Sequence, residues 1–263
     1  MIDTRQLLRL DWRSALGQFA IIVVGVLVAL AADRWNQDRQ DRLTEAQYIG
    51  ALIDDLEADT AAIARALDLV TNFVAHGRRV VQVLEGADWA GTPDDLARAV
   101  EYSLYLPFPD GFARATFQDL QSTGNLGLIR SDSLRKTLTR YYGAVEGVEG
   151  WLPVWLEAQR PGLQLLPVFL SLNQRMALSG EYGATFGGPP LPHVFQEPGV
   201  TEVEDLSVSD AEADELVRAL REHSEYQAVL ENMIYMDSWI WNELTILRAQ
   251  AITTLAALEQ SMG

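Results

Sequence analysis

The chain has 263 residues, enough for one or two domains whose core folds without covalent cross-links. It contains no cysteine, which excludes disulfides, thiolate metal sites and a cysteine nucleophile. Its 20 lysine and arginine residues against 37 aspartate and glutamate residues give a net charge of −17, which argues against nucleic acid as a partner, because contacts to phosphates need a basic surface.

An uncharged apolar segment near the N-terminus is the least ordinary part of the sequence. Residues 15–32 carry no charged side chain, and Trp12 and Trp35 flank them at a separation of about 34 Å on a helix. This length and these flanking indoles are typical of a helix that crosses a bilayer core of about 30 Å. The sequence therefore predicts a transmembrane anchor over residues 15–35, after a short N-terminus of residues 1–14. A cleaved signal peptide and the core helix of a soluble protein are the alternatives.

The arginines beside the span give little information on its orientation. Three precede the apolar segment and three follow it, namely Arg5, Arg9, Arg13, Arg34, Arg39 and Arg42. Because these counts are equal, the charged α-amino group decides the prediction, and residues 1–14 are expected in the cytoplasm. The acidic C-terminal part then lies on the other side of the membrane, and its charge should make it project away from an anionic leaflet.

A heptad pattern follows the span. Residues 36–45 are polar and are predicted to form a solvated, ion-paired stalk. Seam positions then recur at alternating steps of three and four, and charged residues, Asp59 among them, are expected on the solvated faces. The seam consists of Ala46, Ile49, Ile53, Leu56, Thr60, Ile63, Leu67, Val70, Val74, Gly77, Val81 and Leu84. It joins either two copies of the chain or two helices of one chain, and we expect the second arrangement.

Capping signals mark shorter helices in the middle of the chain. Thr92 and Pro93 predict a helix that ends at about Tyr105. Residues 116–122 form another helical segment, and a further helix starts at Ser131 or Asp132.

A turn separates these two later helices. Gly124 is expected to adopt a positive φ, and Leu126, Leu128 and Ile129 after it are expected to enter the core. A ligand-facing role of Ser122, Thr123 and Asn125 is the alternative to this structural role.

The last third contains breaks and one long helix. Residues 151–178 are apolar but are broken by prolines, so core helices are expected there instead of a second membrane crossing. Residues 180–208 are rich in glycine and proline and predict a long irregular loop. Ser209 and Glu212 form a capping box that opens a final helix to about Gln260, which is expected to pack antiparallel to the seam helix.

Two tryptophans in the final helix form a possible interaction surface. Trp239 and Trp241 are two positions apart and therefore point in directions about 200° apart on a helix. One of them must point away from the main core face. The helix is then either buried on two sides or offers a groove to a partner or an apolar ligand.

Two motifs resemble an uncharacterised family of bacterial single-pass membrane proteins. One is the junction after the apolar span, where Arg34 departs from the family pattern, and the other surrounds the Ser-x-Gly-Asn-Leu turn. The motif residues are Trp35, Asn36, Phe117, Gly124, Asn125, Leu126, Tyr141 and Tyr142. The resemblance covers the chain to about residue 150. It implies a protein of the bacterial cytoplasmic (inner) membrane with a periplasmic helical domain, and it implies no catalytic residues.

Patterns that carry chemistry are not found. The three histidines, His76, His193 and His223, have no zinc-ligand spacing, and the acidic runs at 54–59 and 202–215 lack the order of a calcium-binding loop. We therefore expect no catalytic residue, no cofactor and no metal.

These features together predict an all-α protein. A transmembrane helix continues into a long amphipathic helix, which packs with the long C-terminal helix in an extramembrane bundle of residues 46–263. The expected function is that of a membrane-anchored, non-catalytic interaction or scaffold protein, whose partners are the lipid bilayer and a second protein or copy. A periplasmic ligand-sensing module is the alternative, and an enzyme with an unrecognised carboxylate site is the third hypothesis.

Overall fold

The computed structural model describes residues 12–109, 111–186 and 205–262, and every regular element in them is helical. The eight α-helices are α1 (Trp12–Leu84), α2 (Pro93–Tyr102), α3 (Ala115–Ser122), α4 (Asp132–Gly150), α5 (Leu152–Phe169), α6 (Leu172–Phe186), α7 (Asp210–Glu222) and α8 (Ser224–Met262). A 3₁₀ turn, Asn125–Leu128, joins α3 to α4. The all-α prediction is confirmed for these residues, and most of the predicted N-terminal segment, residues 1–11, lies outside them.

Helix α1 is uninterrupted over 73 residues, about 110 Å, but it has two different surroundings. The apolar side chains from Leu16 to Leu30 are exposed, whereas Leu52, Leu56 and Ile63 are fully buried. Among the described residues, α1 is the one helix long and apolar enough to span a membrane, and its apolar segment is entirely exposed. That segment therefore contributes nothing to a core within this chain.

Helix α8 lies antiparallel to the second part of α1, and this contact is the most extensive between any two elements. Near the C-terminal end of α8, Ala257 lies beside Ile49, and nearer its start Ile234 lies beside Gly77. The helices approach closely there, because a Cβ atom at Gly77 would lie 2.9 Å from Cγ1 of Ile234. The buried face of α8 has the same alternating spacing as that of α1: Tyr226, Leu230, Met233, Asp237, Ile240, Leu244, Leu247, Ala251, Thr254 and Leu258.

The buried face of α1 is rotated relative to the predicted seam. Its buried positions are Ile49, Leu52, Leu56, Asp59, Ile63, Ala66, Leu67, Leu69, Val70, Phe73, Gly77, Val80 and Val83. The predicted positions Ile53, Thr60, Val74 and Val81 are only half-buried. The face shifts because α2 and α3 also pack on α1 and cover a neighbouring side. As a result, the prediction of a solvated Asp59 is wrong, since that side chain is 1% exposed.

Two predictions about shorter helices need correction. Helix α2 begins after the predicted cap Thr92, which forms a capping box with Asp95, but the helix ends at Tyr102, before Tyr105. The sequence predicts that the prolines at 161 and 167 end a helix, but they lie inside α5. Burial of Trp155 and Leu166 on one face of α5 offsets the loss of backbone hydrogen bonds at these prolines.

The predicted loop at 180–208 is helical in its first part. Helix α6 extends to Phe186, and Glu181 is held there by an ion pair between its Oε2 and Nε of Arg98, at 2.7 Å. Residues 205–209 form no regular element, while the remainder of the predicted loop, residues 187–204, lies outside the described residues. The capping box between Ser209 and Glu212 is confirmed.

The final helix is not continuous, contrary to the prediction. Helix α7 ends at Glu222, His223 has an extended backbone (φ −88°, ψ 92°), and α8 starts at the next residue. The break allows Arg221 to donate hydrogen bonds to the backbone oxygens of Val83 and Ala87, at 2.9 and 3.0 Å, beside the end of α1. A straight helix would continue past the end of α1 and leave this contact unmade.

Candidate functional site

A buried carboxylate connects α1, α4 and the segment before α3. The Oδ2 atom of Asp59 accepts a hydrogen bond from the hydroxyl of Tyr141 at 2.6 Å, and Oδ1 accepts one from the backbone N–H of Ala113 at 2.7 Å. Burial raises the pKa of Asp59, while these two hydrogen bonds act in the opposite direction. Both oxygens are directed at the chain's own groups, so the carboxylate acts as a connector between three segments.

The aromatic residues of the second motif surround this carboxylate. The rings of Phe117 and Tyr142 are stacked, with their centroids 4.2 Å apart, and the ring of Tyr141 packs edge-on against that of Tyr142, with a centroid distance of 5.0 Å. Burial raises the pKa of both tyrosines, so both phenols stay protonated at neutral pH. Within the described chain, the Tyr142 hydroxyl and Oδ2 of Asp55 are buried without a hydrogen-bond partner. Sequence reasoning missed Asp59, although its spacing from Leu56 places it on the buried stripe.

The Gly124 turn packs on α1 near the start of the buried part of that helix. Gly124 has a φ of +73°, which confirms the predicted left-handed conformation. Nδ2 of Asn125 lies 3.5 Å from the hydroxyl of Tyr48, which donates to Oδ2 of Asp119 at 2.7 Å. The hydroxyls of the two residues before Gly124 donate to the backbone oxygen of Asp119. Of the three residues predicted to enter the core, Ile129 is buried, whereas Leu126 and Leu128 are only half-buried. The polar groups of this turn therefore serve contacts within the chain.

The junction motif lies apart from the other motif residues. Trp35 and Asn36 are exposed on α1, and they precede Tyr48 by more than three helical turns. The structure therefore brings Phe117, Tyr141 and Tyr142 together but leaves the junction residues separate.

The two tryptophans of α8 differ in exposure, as the sequence predicts. The ring of Trp239 packs edge-on against those of Trp151 and Trp155, with centroid distances of 4.9 Å and 5.8 Å. Trp241 is 46% exposed and lines a groove of about 460 Å³ between α1 and α8, whose α1 side includes Val74. Trp241 is therefore the member of the pair that faces outward.

A second buried acid lies one turn before Trp241. Asp237 is 1% exposed, and its Oδ1 atom has no hydrogen-bond partner in the described part of the chain. Burial raises the pKa of Asp237 to about 8, so this acid is mostly neutral at pH 7. The described residues contain no group of three His, Asp or Glu side chains placed to hold a metal ion.

Two larger cavities lie at opposite ends of the α1 and α8 pair. The distal cavity, about 820 Å³, lies between residues 87–93 and α7, and its charged residues are Asp88, Asp210, Asp214, Glu222, Arg218 and Arg221. The stalk-side cleft, about 740 Å³, lies where α4 begins and α8 ends, and its charged residues are Arg42, Glu45 and Arg130. Oε1 of Glu45 accepts a hydrogen bond from the backbone N–H of Arg130 at 2.7 Å.

Comparison of the chain with protein-family models, curated proteins and solved structures finds no match. Among the described residues, the features that bear on function include an exposed apolar segment of α1, the buried carboxyl groups of Asp59, Glu101 and Asp237, and cavities or grooves near both ends and along the side of the α1 and α8 pair.

Proposed function

We propose that this chain is a single-pass membrane protein whose extramembrane helical bundle is a non-catalytic interaction or scaffold module. The observation that carries the proposal is the change of surroundings along the continuous helix α1, which is apolar and exposed before residue 33 and buried against α8 from Ile49. The exposed apolar side chains are Leu16, Phe19, Ile21, Ile22, Val23, Val24, Val26, Leu27, Val28 and Leu30. Such a surface is stable in hydrocarbon and unfavourable in water.

The proposed location is the inner membrane of a bacterium, with the bundle in the periplasm. The family resemblance and the α-amino group support this orientation, while the arginine counts are neutral. The shared core of α1, α4, α5 and α8 supports a bundle that folds outside the bilayer.

The outer surface of α8 supports an interaction role. Between residues 232 and 258 the helix carries only three charged side chains, the buried Asp237 together with Glu243 and Arg248. Large apolar or aromatic side chains are exposed on the same stretch, namely Tyr235, Trp241, Ile246 and Ile252. Depletion of charge together with exposed aromatic side chains is typical of the core of a protein interface. On a chain with a net charge of −17, this face is the one best suited to a second protein or a second copy.

Single-cysteine cross-linking tests this role, because the chain contains no native cysteine. We expect Ile246→Cys in the full-length protein, treated in membranes with a bifunctional thiol reagent, to give a discrete product of higher mass. Asp68→Cys, at an exposed position of α1, is the matched control and should give none. Equal cross-linking of both variants, or release of the protein from membranes by alkaline carbonate, would contradict the proposal.

A ligand-sensing module is the second candidate, and the distal cavity is the observation that favours it. The cavity combines four carboxylates, two arginines and the indole of Trp89, which suits a small ligand carrying charges of both signs. A thermal-shift screen of the full-length protein in detergent tests this role. A metabolite that raises the melting temperature of the native protein but not of Trp89→Ala would support it.

A further inference from the structure

The stalk-side cleft is the cavity nearest to the exposed apolar segment of α1. Its walls include Arg42 of α1, Arg130 before α4 and Met262 at the end of α8. Its apolar floor includes Ile49 and Leu134, both of which are buried. The cleft thus combines two cations at its rim with an apolar interior.

The charge of this cleft is opposite to that of the chain. Two arginines and one glutamate give 2 − 1 = +1, whereas the distal cavity, with two arginines and four acids, carries 2 − 4 = −2. Nε of Arg42 donates to the backbone oxygen of Asp38 at 3.2 Å, and Nε of Arg130 lies 3.6 Å from a carboxylate oxygen of Glu45. A guanidinium has five N–H donors, so both arginines retain donors for an anion. Their planar forks match the oxygens of a phosphate.

The distance between the cleft and the apolar segment is determined by α1, which contains that segment and lines the cleft. Arg42 follows Ala32 by ten residues, about 15 Å along the helix axis. Side chains of a helix lean toward its N-terminus, so the Arg42 guanidinium is displaced toward the apolar segment. The headgroup layer extends roughly 5–8 Å beyond the hydrocarbon core, and an average helix tilt of about 20° brings one side of the domain closer to it. Leu43 and Met262 are exposed near this rim.

Resting on the membrane anchoring proposed above, we infer that the stalk-side cleft binds the phosphate of an anionic phospholipid headgroup. Arg42 and Arg130 donate hydrogen bonds to the phosphate oxygens, and the exposed Leu43 and Met262 side chains face the boundary of the bilayer. The net charge of the domain repels an anionic leaflet as a whole. A local site of opposite charge holds one edge of the domain against the surface and thereby fixes its rotation about α1.

Native mass spectrometry of the full-length protein in a mild non-ionic detergent tests this inference. We expect one phosphatidylglycerol molecule to be retained with at least tenfold higher affinity than phosphatidylcholine. The double variant Arg42→Gln and Arg130→Gln should weaken phosphatidylglycerol binding by about tenfold or more. Arg42→Gln alone, at an exposed position, should show part of this loss and keeps the test valid if the double variant folds poorly.

The matched control removes two positive charges elsewhere. Arg78→Gln with Arg248→Gln changes the net charge equally, away from the cleft, and should leave phosphatidylglycerol binding unchanged. An equal loss in this control would show non-specific attraction and overturn the inference. Displacement of the lipid by millimolar inorganic phosphate would also overturn it, because the site would then be one for soluble phosphate.

The anchoring itself is tested separately. If alkaline carbonate releases the protein from membranes, the proposed function fails, whatever the cleft binds. If the protein stays in the membrane but shows no preference for phosphatidylglycerol, only the lipid site is refuted.

Discussion

The hydroxyl of Tyr141 on α4 donates a 2.6 Å hydrogen bond to the carboxylate of Asp59 on α1, across 82 residues of sequence. The acceptor is almost fully buried, and its second oxygen is bound by a backbone N–H in the segment before α3. A charged acceptor makes this hydrogen bond stronger than one between neutral groups. The contact therefore fixes the position of α4 along α1.

Removal of the Tyr141 hydroxyl should destabilise the domain. Tyr141→Phe leaves a buried carboxylate with one fewer hydrogen bond, and we expect a loss of about 1.5–3 kcal/mol in the free energy of unfolding. Denaturant unfolding of the full-length protein in detergent measures it. Tyr142→Phe is the control, because that hydroxyl has no partner among the described residues, and it should cost little. Equal losses in the two variants would show that Asp59 adds nothing to the contact.

The buried Asp237 should make stability fall as the pH rises. Burial raises its folded-state pKa from 3.8 to about 8, so between these values the folded state binds a proton that the unfolded state has released. The free energy of unfolding should then decrease by up to about 1.4 kcal/mol per pH unit over that window. The raised pKa of Asp59 acts in the same direction.

Asp237→Asn isolates this contribution. The variant should be more stable than the native protein at pH 8, and the difference between them should shrink toward pH 4. Unfolding curves at several pH values give the free energy of unfolding of both proteins. Subtracting one value from the other at each pH cancels the titration of all groups that the two proteins share. The exposed Asp54→Asn is the control. A constant difference across the pH range would show that Asp237 is ionised in the folded state.

A charge on the buried face of α1 should unfold the domain, whereas the same charge on its exposed face should not. Leu56→Asp or Ile63→Asp buries an unpaired carboxylate, and we expect a cost of several kcal/mol. Ala58→Asp, on the exposed side of the same helix, should cost little. Limited proteolysis of membrane preparations distinguishes the variants. Protection of Leu56→Asp equal to that of the native protein would indicate that α1 does not depend on α8.

Two glycines of α1 should respond in opposite ways to alanine. Gly50→Ala should raise the free energy of unfolding by up to about 1 kcal/mol, since no atom lies within 4 Å of the added Cβ and alanine favours the helix. Gly77→Ala should lower it, because the Cβ meets Cγ1 of Ile234 at 2.9 Å. Thermal unfolding of both variants measures these changes. A gain in the Gly77 variant would mean that α8 moves away from α1 at no cost.

The parts of the fold that depend on neighbouring residues in sequence are predictable from the sequence. The capping residues Thr92, Ser131 and Ser209 identify three helix starts, because each side chain binds a backbone N–H three residues later. Gly124 is predictable for the same reason, since the turn after a helix needs a positive φ.

Features decided by distant contacts are not predictable in this way. The sequence alone assigns Asp59 to the surface, because its hydrogen-bond donor is on α4, far away in the chain. It likewise assigns a helix break to Pro161, although burial of one face of α5 outweighs the loss of a backbone hydrogen bond there. The break at His223 has no proline or glycine to signal it, and it accompanies the contact between Arg221 and the end of α1, which is distant in sequence. The distal cavity and the stalk-side cleft are likewise lined by residues far apart in sequence, so no sequence motif identifies them.

The proposed orientation in a membrane is tested by changing the charges that flank the predicted span. Reporters fused after Gly263 should be active if they require the periplasm and inactive if they require the cytoplasm. Three arginines lie on each side of the predicted span, so small changes should alter the outcome. Replacing the three arginines at positions 5, 9 and 13 by glutamine leaves arginines only after the span, where they outweigh the α-amino group, and should invert the reporter signals. Replacing Arg34 and Arg39 by glutamine is the matched control and should strengthen the native pattern. A cytoplasmic signal from the native protein would reverse the proposed topology and place the bundle beside cytoplasmic partners.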